Sequence, residues 1–170
     1  AGERKGLMAH YQAWLARAAE DLRPALRCRL ARIMLTDVVD AAEGIRLLAQ
    51  EFEGPAADEA LDQVTGFLRQ SKETGETWRR PVEKAAALYE KALGDAPSEA
   101  ALAISEAARL RVLPEGPEQR ERRLTLAKLL VAAGDEEAGF TQYGHALRDV
   151  LDAPKIEASL ETLTESLDAW

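Results

Sequence analysis

Residues 126–147 read LAKLLVAAGDEEAGFTQYGHAL. Leu126, Leu129, Leu130 and Ala133 recur at the three- and four-residue steps of one helix face, and Phe140, Tyr143, Gly144, Leu147 and Leu151 do so again. Between the two runs stands Gly134, a residue that can take the left-handed cap of a helix end. Asp135-Glu136-Glu137 follows, and acids of this kind suit the positive end of a new helix without any metal to explain them. The stretch therefore predicts two helices joined by a tight turn, and so short a link forces them antiparallel.

The same period extends outward in both directions. Met8, Tyr11, Leu15, Ala18 and Leu22 follow it near the start, and Ile156, Leu160, Leu163, Leu167 and Trp170 near the end. Nowhere do apolar and polar residues alternate long enough to suggest a strand, so the fold class is all-α. Pro24, Pro55, Pro81, Pro97, Pro117 and Pro154 each precede or open a periodic segment, where proline costs no helical hydrogen bond. Pro114 closes a helix, and Gly94, Gly116 and Gly134 are expected just past helix ends. This punctuation predicts nine helices, over 3–21, 24–36, 38–52, 56–72, 78–93, 97–113, 117–133, 135–151 and 154–169. The most loop-like place, Ser71–Thr77 (SKETGET), is expected to be a hinge within one domain.

Self-comparison adds a repeat. Leu30–Phe52, LARIMLTDVVDAAEGIRLLAQEF, aligns with 126–147 at a separation of about 96 residues. One gap brings Leu30-Ala31 onto Leu126-Ala127, Asp40 onto Asp135, Gly44 onto Gly139 and Ile45 onto Phe140, and ADEALDQVTGFL then falls beside KIEASLETLTESL. Shared Leu and Ala positions arise between any two amphipathic helices; shared Gly and Asp do not.

On these residues the chain resembles the tetratricopeptide repeat family. Leu126, Ala127, Gly134, Gly139, Tyr143 and Ala146 fall on its helix-pair pattern in order and spacing, and Ala85, Tyr89, Ala92 and Pro97 match its second-helix half. Arg123 stands where the family has a tryptophan, and Leu151 where it has the closing proline. The resemblance implies antiparallel helix hairpins stacked into an α-solenoid. That reading makes 1–170 a single repeat domain, with copies near 24–72 and 117–170 and linking helices over 78–113, and expects it to be a piece of a longer array. Tyr89 and Tyr143 take the role of structural wedges.

In that family the first helix of each pair lines a concave groove holding a peptide or partner helix. Carried onto this chain, the groove positions are Glu121, Leu124, Lys128 and Val131 in one copy and Cys28, Arg32 and Leu35 in the other. Arg32 and Lys128 are equivalent, which suits an acidic or carboxylate-bearing protein or peptide. The family's chaperone-tail clamp needs asparagines in the groove, and the chain contains no Asn. The function expected is thus a protein–protein interaction scaffold; the alternative is a helical small-molecule sensor or carrier with a pocket near Tyr89 and Tyr143.

Composition bounds the chemistry. With 22 Lys+Arg against 30 Asp+Glu the formal charge is −8, which argues against general nucleic-acid binding. Cys28 is the one cysteine, so no intrachain disulfide or Cys-based metal site can form, and its expected role is that of an inert thiol despite Arg27 and Arg29 on either side. His10 and His145 are far apart, no Glu-x-x-His or His-x-x-x-His pair occurs, and the glycines are scattered singly, so no metal, cofactor or catalytic site is expected. Aromatic content of 5% is low for a surface that stacks bases or sugars; Trp78 and Trp170 are expected to pack between units. No apolar run is long enough to span a membrane. Arg (16) outnumbers Lys (6), a bias of GC-rich coding that suggests a bacterial source, and a cytoplasmic location is the expectation. Residues 1–32 carry seven basic and three acidic side chains and 135–170 two basic and nine acidic, so head-to-tail self-association is a further expectation.

Overall fold

The computed structural model describes residues 2–70 and 76–151. Among them there are eight α-helices and no strand: α1 (Gly2–Arg17), α2 (Arg23–Met34), α3 (Val38–Ala49), α4 (Ala57–Gln70), α5 (Glu76–Ala92), α6 (Glu99–Arg111), α7 (Pro117–Ala132) and α8 (Glu136–Leu151). The ninth expected helix, 154–169, lies outside the described residues, as do Trp170 and most of the expected hinge.

Local signals account for most boundaries. Pro24 and Pro117 open α2 and α7. The Asp37 carboxylate accepts the Val39 N–H at 3.0 Å to cap α3, and Ser98 accepts from Ala101 to cap α6. After α7, Gly134 takes φ +87°, and its neighbour Asp135 donates its N–H to the Leu130 carbonyl at 2.9 Å, closing the helix end as expected. Besides α3, which ends at Ala49 rather than residue 52, three places differ. The first helix stops at Arg17 rather than residue 21, because Ala19 turns extended and a 3-10 turn, Glu20–Leu22, leads into α2; the Arg23 guanidinium meets the Ala18 carbonyl at 3.1 Å. Nothing in an Ala, Glu, Asp and Leu run signals that break. Pro81 lies inside α5, which starts at Glu76, so the proline forgoes one internal hydrogen bond and is accommodated near the helix start. Gly116 caps the start of α7 instead of the end of α6.

The chain separates into two compact units, Ala1–Pro114 and Glu115–Trp170. In the first, each helix from α2 onward packs on the next and on the next but one: α2 on α3 and α4, α3 on α4 and α5, α4 on α5 and α6. α1 lies along α2. The core between these layers is made by Leu30, Ile45, Leu48, Val64, Leu68, Val82 and Val112, all nearly or wholly buried, with Ala31, Ala60, Ala85, Ala86 and Ala108 where helices approach. Each large apolar side chain so buried contributes about 1.5–3 kcal/mol against the unfolded chain. The Phe67 and Trp78 rings meet at 6.0 Å between centroids, joining α4 to α5 within this unit. In the second unit α7 packs against α8, burying Leu126, Ala127 and Ala146.

Candidate interaction surface

The repeat detected in sequence has a physical counterpart. At the α2–α3 crossing, a methyl group on Gly44 would stand 3.0 Å from Met34 Cβ and 3.1 Å from the Ala31 carbonyl oxygen. At the α7–α8 crossing, one on Gly139 would stand 2.5 Å from Val131 Cγ2 and 3.1 Å from the Ala127 carbonyl oxygen. Both hairpins therefore close by setting a glycine against the carbonyl of the aligned alanine. The aligned aspartates do not correspond: Asp37, not Asp40, shares with Asp135 the role of capping the second helix, and Asp40 instead meets Arg4 at 2.6 Å.

This geometry divides the seven groove positions. Cys28 is wholly buried in the core, and Leu35 and Val131 pack on the hairpin glycines. Burial, with the carboxylates of Glu59 and Glu51 adding to it, pushes the Cys28 thiol up to about 11 against the pull of Arg32 and Arg27. Glu121, Leu124 and Lys128 lie exposed along α7, and Arg32 is exposed on α2, its guanidinium 3.4 Å from Glu59. Tyr89 fills the first unit's core and Tyr143 is half-buried in the second; burial raises both phenols above their ordinary range.

Much of the basic charge near the start is committed internally. Arg4 reaches from α1 to Asp37 at 2.9 Å and Asp40, and donates to the Ile33 carbonyl. Arg27 holds the buried Glu51 at 2.5 Å. A larger network ties α5 to α6: Arg109 forms two hydrogen bonds to Glu90, at 2.5 and 3.0 Å, and a third to Glu83 at 3.0 Å, while the buried Ser105 hydroxyl donates to Glu90 at 2.6 Å. Burial disfavours the Arg109 charge, but hydrogen bonds and attraction from Glu90 and Glu83 outweigh it and hold the guanidinium above its ordinary range. Arg111 likewise donates to the Leu68 carbonyl, fastening α6 to the end of α4. Among the described residues no three His, Cys, Asp or Glu side chains converge as a metal site, and no helix is long and apolar enough to cross a membrane.

An open groove of about 600 Å³, not expected from the sequence, lies between α3 and α5. Its apolar lining is Val39, Ala42, Ile45 and Ala49 from one helix and Ala87 and Leu88 from the other. Glu43 and Arg46 form one rim, joined by two hydrogen bonds of 2.7 and 2.6 Å; that bond to Arg46 holds the Glu43 carboxyl below its ordinary range, assisted by the charges of Arg46 and Lys84. Lys84 and Lys91 form the other rim, both exposed. Neither tyrosine of the sensor reading lines this groove. The spacings 39, 42, 46, 49 and 84, 87, 88, 91 were legible as helix faces, but not that α3 would lie beside α5. No protein-family model, curated protein or solved structure matches the chain.

Proposed function

We propose that the chain is a non-catalytic protein-interaction module, built from divergent tetratricopeptide-like hairpins, whose partner is an acidic polypeptide. The observation that carries the reading is the equivalence of Arg32 and Lys128. Each is one residue beyond the alanine that receives a glycine at the hairpin crossing, and each is exposed. Cations at one register of two like-built helices, Arg32 meeting Glu59 only through a long, exposed 3.4 Å contact while Arg4, Arg27 and Arg109 are drawn into closer, less exposed pairs, favour recognition of carboxylates. The packing of each helix on its next and next-but-one neighbours in the first unit is the order expected of stacked hairpins, and so supports the solenoid reading.

Selection of displayed random peptides on the immobilised chain tests this. Acidic sequences are expected to be enriched and to lose binding to the doubly reversed Arg32→Glu/Lys128→Glu variant, whose helix content should be unchanged because both side chains are exposed. No enrichment, or enriched peptides that ignore the reversal, would overturn the assignment.

A further inference from the structure

We infer that the groove between α3 and α5 is a docking site for an acidic amphipathic helix of a partner protein. The inference rests on the reading that this chain binds acidic polypeptides, but it places an occupant on a surface distinct from Arg32 and Lys128.

Three features of the groove select that occupant. Its walls are two α-helices whose backbone groups are bonded within the helices themselves, so an extended segment would find no partners for its own amides; a helix brings its backbone already satisfied. Among its lining residues Ala42, Ala49 and Ala87 are small enough for a third helix to approach closely, while Val39, 83% exposed, and Leu88 offer apolar surface to cover. The rim carries three cations to one acid: Glu43 is paired to Arg46 and also feels the charge of Lys84, but neither Lys84 nor Lys91 is in ion-pair contact with a carboxylate among the described residues. These lysines are two helical turns apart, about 10 Å along α5, which matches glutamates seven residues apart on an opposing helix. The α3 wall from Val39 to Ala49 runs about 15 Å, room for roughly three turns of that helix. A basic helix would meet two lysines and gain nothing from a carboxylate already engaged by arginine.

Fluorescence anisotropy with three labelled synthetic helical peptides and the full chain decides the matter. One peptide is amphipathic with leucines on one face and glutamates seven apart beside them, the second replaces those glutamates by lysines, and the third scrambles the first so that no apolar face remains. The first is expected to bind, more weakly as salt is raised, and the other two not to. Lys84→Glu/Lys91→Glu is expected to weaken the acidic peptide by about tenfold or more and to confer binding of the basic one, a swap that loss of folding could not produce. Ala87→Arg, at an exposed position lining the groove, is expected to block the acidic peptide with helix content intact. Equal binding of the acidic and scrambled peptides, or no binding at all, overturns the groove assignment and leaves the peptide selection above to judge the broader function. Binding lost with Arg32→Glu/Lys128→Glu but retained with the lysine reversals also overturns it, while upholding that function.

Discussion

A methyl group at Gly139 would press against Val131 Cγ2 at 2.5 Å, closer than carbon atoms tolerate, with the Ala127 carbonyl 3.1 Å behind. Gly139→Ala is therefore expected to destabilise the second unit by about 1–3 kcal/mol, and adding Val131→Ala to recover part of that loss in denaturant titrations. At Gly44 the nearest atom is Met34 Cβ, at 3.0 Å, so the same change there should cost less. Cys28 supplies a pH-dependent test. Its folded-state value of about 11 exceeds the ordinary 9.0, so the folded protein holds this proton more tightly than the unfolded chain. The resulting stability is complete below pH 9 and is lost as pH rises towards 11. Melting temperature should accordingly fall more steeply across that window in the native protein than in Cys28→Ala. Equal slopes would show that the thiol does not couple to folding.

Among the elements, charge adds to apolar packing: α6 buries Ala108 and its cap residue Val112. α6 is fastened to α5 through Arg109, whose side chain is only 14% exposed and which joins Glu90 and Glu83. Removing it takes two hydrogen bonds from Glu90 and one from Glu83 at the helix interface. Arg109→Met is expected to cost about 2–3 kcal/mol, and Arg109→Lys to restore little because an ammonium cannot make the paired hydrogen bonds to Glu90. A loss below about 0.5 kcal/mol would mean that the network is a solvated surface feature. α1 has no fully buried residue and depends on Arg4 at one end, where Asp37 serves at once as cap for α3 and partner to that arginine.

At the scale of the whole chain, the expected attraction between a basic start and an acidic end is reduced by the pairing of Arg4, Arg27 and Arg32 with Asp37, Asp40, Glu51 and Glu59. Light scattering coupled to size exclusion is expected to give a mass near 18.6 kDa at both low and high salt. Species that grow with concentration and dissolve in salt would show instead that the ends of neighbouring copies meet.

The helical class, most of the turns and the crossing points of the two hairpins were legible in the order of the residues. Those features depend on contacts three or four residues apart, on caps such as Asp37 and Gly134, and on the absence of a side chain at Gly44 and Gly139. The burial of Cys28, the pairing of Asp40 with Arg4, and the place of Lys84 and Lys91 beside a groove with α3 came from packing between distant segments. These depend on α1 lying against the α2–α3 turn and, in the first unit, on α3 meeting α5. A helical period states which face of a helix is apolar but not which other helix will cover it, and that choice is made by the closing of the core.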